Sequence, residues 1–197
     1  CPAYLTEKPL SPKKMINDVK ANMDERIPQL MVAEDKASVV TTPLIGDGTD
    51  GSGSVQPDEF WSCTNCAACM ENCPVNIEHV PKMIDMRRYK VLMEGDMAPE
   101  LQTTFQNMET NYNPYGFAFG ERGAWLPADL GVKTVAEDPD VEYVYFVGCA
   151  ASYDKRNQKV AIALLNVMKK AGVKVGILCA EEACCGDAAM RGGNEYL

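Results

Sequence analysis

The chain has 197 residues, of which 46% are hydrophobic and 24% charged, enough to bury the core of one domain or two small ones. Its 28 acidic and 19 basic residues give a net charge of −9, so it has no general attraction for nucleic acid or anionic lipid. The uncharged stretch from Tyr143 to Tyr153 is too short to span a bilayer, which needs about 20 apolar residues. We therefore expect no nucleic-acid partner, no membrane span in this segment, and a cytoplasmic location, at most at the inner face of the membrane through partners or missing segments.

Sulfur is the expected ligand chemistry, because there are nine cysteines and a single histidine, His79. An odd cysteine count without a signal peptide fits a secreted disulfide framework badly. One imidazole excludes sites that need two, such as a Rieske centre. The chain begins at Cys1 without a methionine and stops at Leu197, so we expect it to be an internal part of a longer protein.

The N-terminal part is predicted to be helical. Ser11 and Pro12 suit the N-cap and the first helical position, and apolar residues at helical spacing carry the helix to about Met31. The glycine-rich segment 46–54 contains the letters of the G-x-G-x-x-G dinucleotide motif. That motif needs a helix directly after it, which this segment cannot supply, so a flexible loop is favoured over a nucleotide site.

A C-x2-C-x2-C-x3-C-P run follows, with its cysteines at Cys63, Cys66, Cys69 and Cys73. This spacing is typical of a 4Fe–4S cluster, whereas a zinc site separates its two C-x2-C pairs by a longer loop. In two-cluster ferredoxins the fourth cysteine ligates the other cluster, and Cys1 with the proline after it has the form of the end of an earlier copy. The prediction assigns one cluster to Cys1, Cys63, Cys66 and Cys69. Cys73 would then serve a second cluster; the alternative is that Cys73 closes the first one and Cys1 is incidental.

Two further helical segments are predicted after this run. Apolar residues at helical spacing from Val80 to Leu92 form a face that ends at Gly95. Pro99 starts another helix, to about Met108, and the glycine- and proline-punctuated chain over 116–140 is expected to be a connection.

The character of the sequence then changes. A strand over 141–147, a helix over 154–171 and a second strand over 173–178 form a predicted βαβ unit with a parallel sheet. The expected fold is mostly α with an α/β part. An α-helical ferredoxin-type domain over 1–110 precedes a connection over 111–140 and the first part of a cysteine-rich α/β domain over 141–197.

A second cysteine constellation lies in the α/β part. Cys149 follows the first predicted strand, and Cys184 and Cys185 follow the second. The carboxyl ends of parallel strands meet at one edge of a sheet, and nearby helix starts favour thiolates, so a metal or redox site is preferred over buried structural cysteines. Cys179 is expected to be a small buried residue.

Other chemistry-bearing residues receive structural interpretations. His79 is expected to be a satisfied structural histidine. Arg87 and Arg88 are expected on a solvated helix face, and Glu181 and Glu182 as exposed loop carboxylates.

The cysteine run, the Cys1-Pro2 start and the pattern of Cys149 with Cys184 and Cys185 resemble the heterodisulfide reductase-related iron–sulfur oxidoreductases. The resemblance implies a helical ferredoxin domain with two 4Fe–4S clusters, followed by CCG cysteine-rich domains. Thirty-four residues separate Cys149 from Cys184, within the spacing of that family's CCG pattern. In complete members such domains hold noncubane iron–sulfur clusters, so the resemblance implies a redox centre at Cys149, Cys184 and Cys185.

The preferred hypothesis is an iron–sulfur electron-transfer subunit of an anaerobic or respiratory oxidoreductase. It would relay electrons from a flavoprotein to the cysteine-rich redox centre or to a quinone-linked membrane partner. One alternative is a catalytic subunit that itself reduces a disulfide or supports 2-hydroxy acid oxidation. Another is a zinc-stabilised interaction module.

Overall fold

The structure is a computed structural model and describes residues 1–39, 42–48 and 52–197. Unit 1 comprises Cys1–Asp96 with Arg191–Glu195, and unit 2 comprises Met97–Met190 with Tyr196–Leu197. Helices dominate and the sheet is small and parallel, which confirms the predicted fold class. Residues 111–140, predicted to be a connection, lie within unit 2, and the division into functional domains stays a prediction. No helix in the described ranges is long and apolar enough to cross a membrane.

Unit 1 is built from short helices around one long one. Its helices are α1 (Pro2–Leu5), α2 (Pro12–Val32), α3 (Pro57–Trp61), α4 (Ala68–Glu71) and α5 (His79–Arg88). A 3-10 turn (Lys36–Ser38) follows α2, and a π-helical segment (Tyr89–Glu94) continues α5. Ser11 caps α2 as predicted, because its hydroxyl accepts the N–H of Lys14 at 3.4 Å.

The core of unit 1 joins the first two helices to the segment before the cysteine run. Its buried apolar side chains are Ala3, Leu10, Met15, Val55, Phe60, Met83 and Met86. Ile45 and Val55 form a parallel bridge that closes the base of the glycine-rich loop. Residues 49–51 of that loop, including the third glycine of the dinucleotide pattern, lie outside the described residues.

Unit 2 contains the predicted βαβ unit. Its elements are α6 (Pro99–Asn111), β1 (Tyr143–Tyr145), α7 (Gly148–Tyr153), α8 (Lys155–Lys170), β2 (Val175–Ile177) and the start of α9 (Asp187–Gly192). Short 3-10 turns lie at Phe119–Gly123, Ala128–Leu130 and Cys179–Glu181. The strands are parallel, with Tyr143 opposite Val175.

The helix α8 crosses from β1 to β2 and packs on the sheet. Asp154 caps it by accepting the N–H of Asn157 at 2.8 Å. The buried side chains beneath it are Leu165 of the helix, Ile177 of β2 and Leu130 of a 3-10 turn. Because β1 and β2 are parallel, the chain leaves both strands at the same edge of the sheet, and the cysteines of unit 2 follow there.

Candidate functional site

In unit 1 the cysteine run curls around its own sulfur atoms. Asn65 and Ala67 both adopt a left-handed backbone conformation, with φ of 54° and 59°, which is uncommon for residues other than glycine. The N–H of Asn65 consequently points back and donates to Cys63 Sγ at 3.4 Å. The N–H of Ile77 donates to Cys73 Sγ at 3.3 Å. Such N–H donors stabilise a thiolate in the way that ligands of iron–sulfur clusters require.

The thiols of Cys63, Cys66 and Cys69 lie close enough to influence one another. Burial raises the pKa of the Cys69 thiol, and the neighbouring charges of Cys63 and Cys66 raise it further. The N–H of Ala68 lowers the pKa of Cys66. These three cysteines are therefore neighbours in the structure.

Cys1 is the remaining predicted ligand of this cluster. It is exposed, and α1 begins directly after it. Among the described residues, no three cysteine, histidine or acidic side chains converge closely enough to hold a single metal ion. In a cluster each thiolate binds a different iron.

Arg87 supports the cysteine run from beneath, and the prediction that it lies on a solvated face is wrong. It is 5% exposed, and its guanidinium donates to the carbonyls of Phe60, Trp61 and Cys63. These carbonyls lie at and just beyond the C-terminal end of α3, where no helical N–H is available, so the arginine replaces the missing donors. Arg88 remains partly exposed and pairs with Asp85 at 2.8 Å.

His79 is buried, at 6% exposed, as a structural histidine would be. Its Nδ1 has no hydrogen-bond partner among the described residues. The expectation that its polar atoms are hydrogen-bonded is therefore wrong for this nitrogen.

In unit 2 the structure brings Cys149 and Cys184 close enough for each thiol to influence the charge of the other. Cys149 lies in the first turn of α7, just after β1, and Cys184 follows the 3-10 turn after β2. The N–H of Cys184 donates to the carbonyl of Tyr112 at 3.0 Å. Cys185, exposed, lines with them a cavity of about 360 Å³.

A buried ion pair lies behind these cysteines, and sequence reasoning missed it. Arg122 Nη2 donates to Glu182 Oε1 at 2.7 Å, with both side chains 1% exposed. Both terminal nitrogens of Arg122 also lie 3.6 Å from Cys149 Sγ. The prediction that Glu182 is an exposed carboxylate is wrong, because it accepts the N–H groups of Val147 and Gly148 at 2.8 Å. Glu181 is exposed as expected.

The electrostatics of Cys149 reflect burial against this arginine. Burial raises the pKa of the Cys149 thiol to about 11; Arg122 opposes the rise, and the neighbouring Cys184 adds to it. A metal ion or cluster would supply the positive charge that keeps both sulfurs as thiolates. Cys149 and Cys184 are therefore two neighbouring sulfur donors, with Cys185 on the wall of the same cavity, and this chemistry suits a cluster in which each thiolate binds a different iron.

Cys179 belongs to the packing rather than to this group. It is half-buried, and its Sγ lies 3.0 Å from where a Cβ on Gly123 would stand. This contact agrees with the expectation of a small packing residue.

Comparison with known proteins supports the same chemistry. Residues 143–197 match the family model described as a cysteine-rich domain, CCG. The whole chain is 41% identical to an "EtfAB:quinone oxidoreductase" of Syntrophomonas wolfei, covering 30% of that protein. It is 32% identical to the "Probable iron-sulfur-binding oxidoreductase FadF" of Bacillus subtilis, where the whole chain covers 32% of the relative.

A third relative is a component of the dihydromethanophenazine:CoB–CoM heterodisulfide reductase of Methanosarcina barkeri, 31% identical over 71% of this chain and 32% of the relative. The chain thus spans about a third of the length of the curated relatives it matches. No solved structure shows significant similarity to it.

Proposed function

Because the chain belongs to the heterodisulfide reductase-related iron–sulfur oxidoreductases, we propose that it is the electron-relay part of a larger oxidoreductase, with one sulfur-ligated centre in each unit. The observation that carries the proposal is the fold of the cysteine run, in which backbone N–H groups donate to Cys63 Sγ and Cys73 Sγ. A bound 4Fe–4S cluster accepts and releases single electrons. The residues of this chain would hold it and keep its sulfurs charged.

In unit 1 the cluster is held by Cys63, Cys66, Cys69 and Cys1. The proline directly after Cys1, which gives it the form of the end of an earlier copy of the motif, supports this assignment over one in which Cys1 is incidental. Cys73 serves a second 4Fe–4S cluster whose other ligands come from outside this chain, as in two-cluster ferredoxins. The N–H of Ile77 stabilises its thiolate.

In unit 2 the redox centre is held by Cys149, Cys184 and Cys185, as a noncubane iron–sulfur cluster. The proximity of Cys149 and Cys184 supports this, because the two cysteines follow different strands of the sheet and still influence each other. Electrons enter from a flavoprotein and leave through a quinone-linked partner at the cytoplasmic face of the membrane. The name of the Syntrophomonas wolfei relative, an EtfAB:quinone oxidoreductase, supports this choice of partners.

The proposal is tested by measuring the iron and acid-labile sulfide content of the full-length protein after anaerobic purification. We expect Cys66→Ser to lose the iron of one 4Fe–4S cluster, while the matched Cys179→Ser variant keeps all of it. Equal iron in the two variants, or zinc without sulfide in the wild type, would contradict the proposal.

A second candidate function is disulfide reduction at the centre of unit 2. The cavity of about 360 Å³ beside Cys149, Cys184 and Cys185 favours it, because a substrate has room next to the sulfurs. Cys184→Ser combined with Cys185→Ser should then abolish disulfide turnover and leave the clusters of unit 1 intact. Turnover unchanged by those substitutions would exclude this function.

A further inference from the structure

The guanidinium of Arg122 contacts the candidate ligand Cys149, the buried Glu182 and two backbone carbonyls. Its terminal nitrogens lie 3.6 Å from Cys149 Sγ, 2.7 Å from Glu182 and 3.2 Å from the carbonyl of Ala183. A weaker contact, at 3.5 Å, joins it to the carbonyl of Tyr112. Three separate segments of unit 2 therefore meet on one guanidinium.

Two of these three segments carry the cysteines of unit 2. Glu182 accepts the N–H groups of Val147 and Gly148, the two residues before Cys149. Ala183 directly precedes Cys184. Only a planar fork of several donors can satisfy a thiolate, a carboxylate and a carbonyl together, which a lysine ammonium cannot do in the same geometry.

The charges of Arg122 and Glu182 in this pocket balance before any cysteine is deprotonated. Arg122 and Glu182 are both 1% exposed, so water screens neither of them. They cancel each other, and every thiolate added at Cys149 or Cys184 makes the pocket more negative. The guanidinium places its positive charge directly against sulfur, with the Tyr153 ring 6.0 Å away on another side.

We propose that Arg122 is a positioning residue that sets the reduction potential of the Cys149–Cys184 centre, with Glu182 holding it against the sulfur and acting on the potential in the opposite direction. The inference rests on the proposed function, since it requires a cluster at this site. A cation beside the sulfurs stabilises the reduced, more negative state of the cluster. A buried carboxylate destabilises that state.

The two residues therefore predict shifts of opposite sign. Arg122→Gln removes the cation and should move the midpoint potential of the unit 2 centre to more negative values. Glu182→Gln keeps the shape and should move it to more positive values. Arg122→Lys keeps the charge and loses the fork, so the potential should stay nearer that of the wild type while the EPR signal broadens.

The experiment is an anaerobic redox titration of the full-length protein followed by EPR. The clusters of unit 1 serve as an internal standard that should not shift, and Arg156→Gln, at an exposed arginine of α8, is the matched control. If the midpoint potential shifts in the same direction in both glutamine variants, or in neither, the inference is wrong. A purely structural role predicts that both variants lose the EPR signal of the unit 2 centre. If Arg122→Gln fails to fold, a Glu182→Gln variant without a positive shift overturns it alone.

Failure of the proposed function gives a different result. Wild-type protein that shows only signals of ferredoxin-type clusters, unchanged by Cys184→Ser, has no centre in unit 2, and both statements are then wrong. A unit 2 signal that responds to Cys184→Ser but ignores Arg122 and Glu182 overturns only the inference.

Discussion

Arg87 closes the C-terminal end of α3, and the cysteine run starts two residues later. Its guanidinium donates hydrogen bonds to the carbonyls of Phe60, Trp61 and Cys63. It also donates to the carbonyl of Arg191 at 2.8 Å and lies 5.2 Å from the centre of the Trp61 ring. Burial lowers the pKa of Arg87, and the Cys63 thiolate opposes that effect. The side chain therefore links the core of unit 1 to the first ligand of the predicted cluster.

Replacing this arginine should destabilise unit 1. Arg87→Met leaves buried carbonyls without donors, so we expect a loss of about 3 kcal/mol in the free energy of unfolding. The thermal midpoint of the anaerobic protein should fall by several degrees. Arg88→Met, at a partly exposed neighbour, should change the free energy by no more than about 0.5 kcal/mol. Equal effects of the two substitutions would disprove the role given to Arg87.

Local residue patterns predicted which cysteines are candidate ligands, but they did not predict the burial of the charged residues beside them. The cysteine spacing is a local signal, readable within a few residues of the chain. The burial of Arg122 depends on Glu182, sixty residues away in the sequence, and no local pattern joins the two. Charged residues are almost never fully buried unless paired, so exposure was the reasonable expectation for Glu182 and for Arg87.

At the scale of elements, the βαβ unit was predictable because its helix is long and its strands are rich in valine and aromatic residues. The strand lengths were not. β1 and β2 each pair over three residues, about half of the predicted runs, because the ladder ends where the partner strand turns away. The short helix α7 was also missed, since its sequence of small residues carries no apolar periodicity.

The glycine-rich loop owes its composition to a close approach of backbones. A Cβ on Gly53 would clash with the backbone nitrogen and Cα of Gly46, and Gly53 has a φ of +85°. Gly48 has a similar φ of +82° but only ordinary contacts around it. Glycine is therefore needed here for packing, independently of any nucleotide.

These two glycines give a matched test. Gly48→Ala should cost about 1 kcal/mol in the free energy of unfolding, from the left-handed backbone alone. Gly53→Ala adds a backbone clash and should cost about 3 kcal/mol or more. Thermal unfolding of both variants measures the difference, and similar midpoints would contradict the close approach of Gly46 and Gly53.

Lys90 stabilises the π-helical segment that continues α5. Its side chain is 8% exposed and pairs with Asp96 at 2.7 Å and Glu94 at 2.6 Å. The hydrogen bonds that Lys90 donates to Asp96 and then to Glu94 raise the pKa of Lys90 above 10.5. Because this pKa is raised in the folded state, the stabilisation is complete below pH 10.5 and is lost as the pH rises through the folded pKa.

The stability difference between wild type and Lys90→Met should follow that sign. We expect a lower thermal midpoint for the variant at pH 8, and a difference that shrinks above pH 10.5. Lys159→Met, at an exposed lysine of α8, should show no such pH dependence. A difference that stays constant to pH 11 would show that Lys90 acts through packing and not through its charge.

At the scale of the whole molecule, the two units divide the chemistry. Unit 1 carries the ferredoxin-type cysteines and unit 2 the CCG cysteines, and the chain covers about a third of its relatives. The spacing of the cysteines is enough to predict sulfur ligation and the residues for it, and both stay predictions.

The central claim is that unit 1 binds 4Fe–4S clusters and unit 2 a separate redox centre. Low-temperature EPR spectra of the full-length, anaerobically purified protein, recorded as isolated and after reduction, test it most directly. The account predicts signals of reduced 4Fe–4S clusters, together with a distinct oxidised-state signal that disappears when Cys184 and Cys185 are replaced by serine. Ferredoxin-type signals alone, identical in the wild type and in that variant, would contradict a redox centre in unit 2.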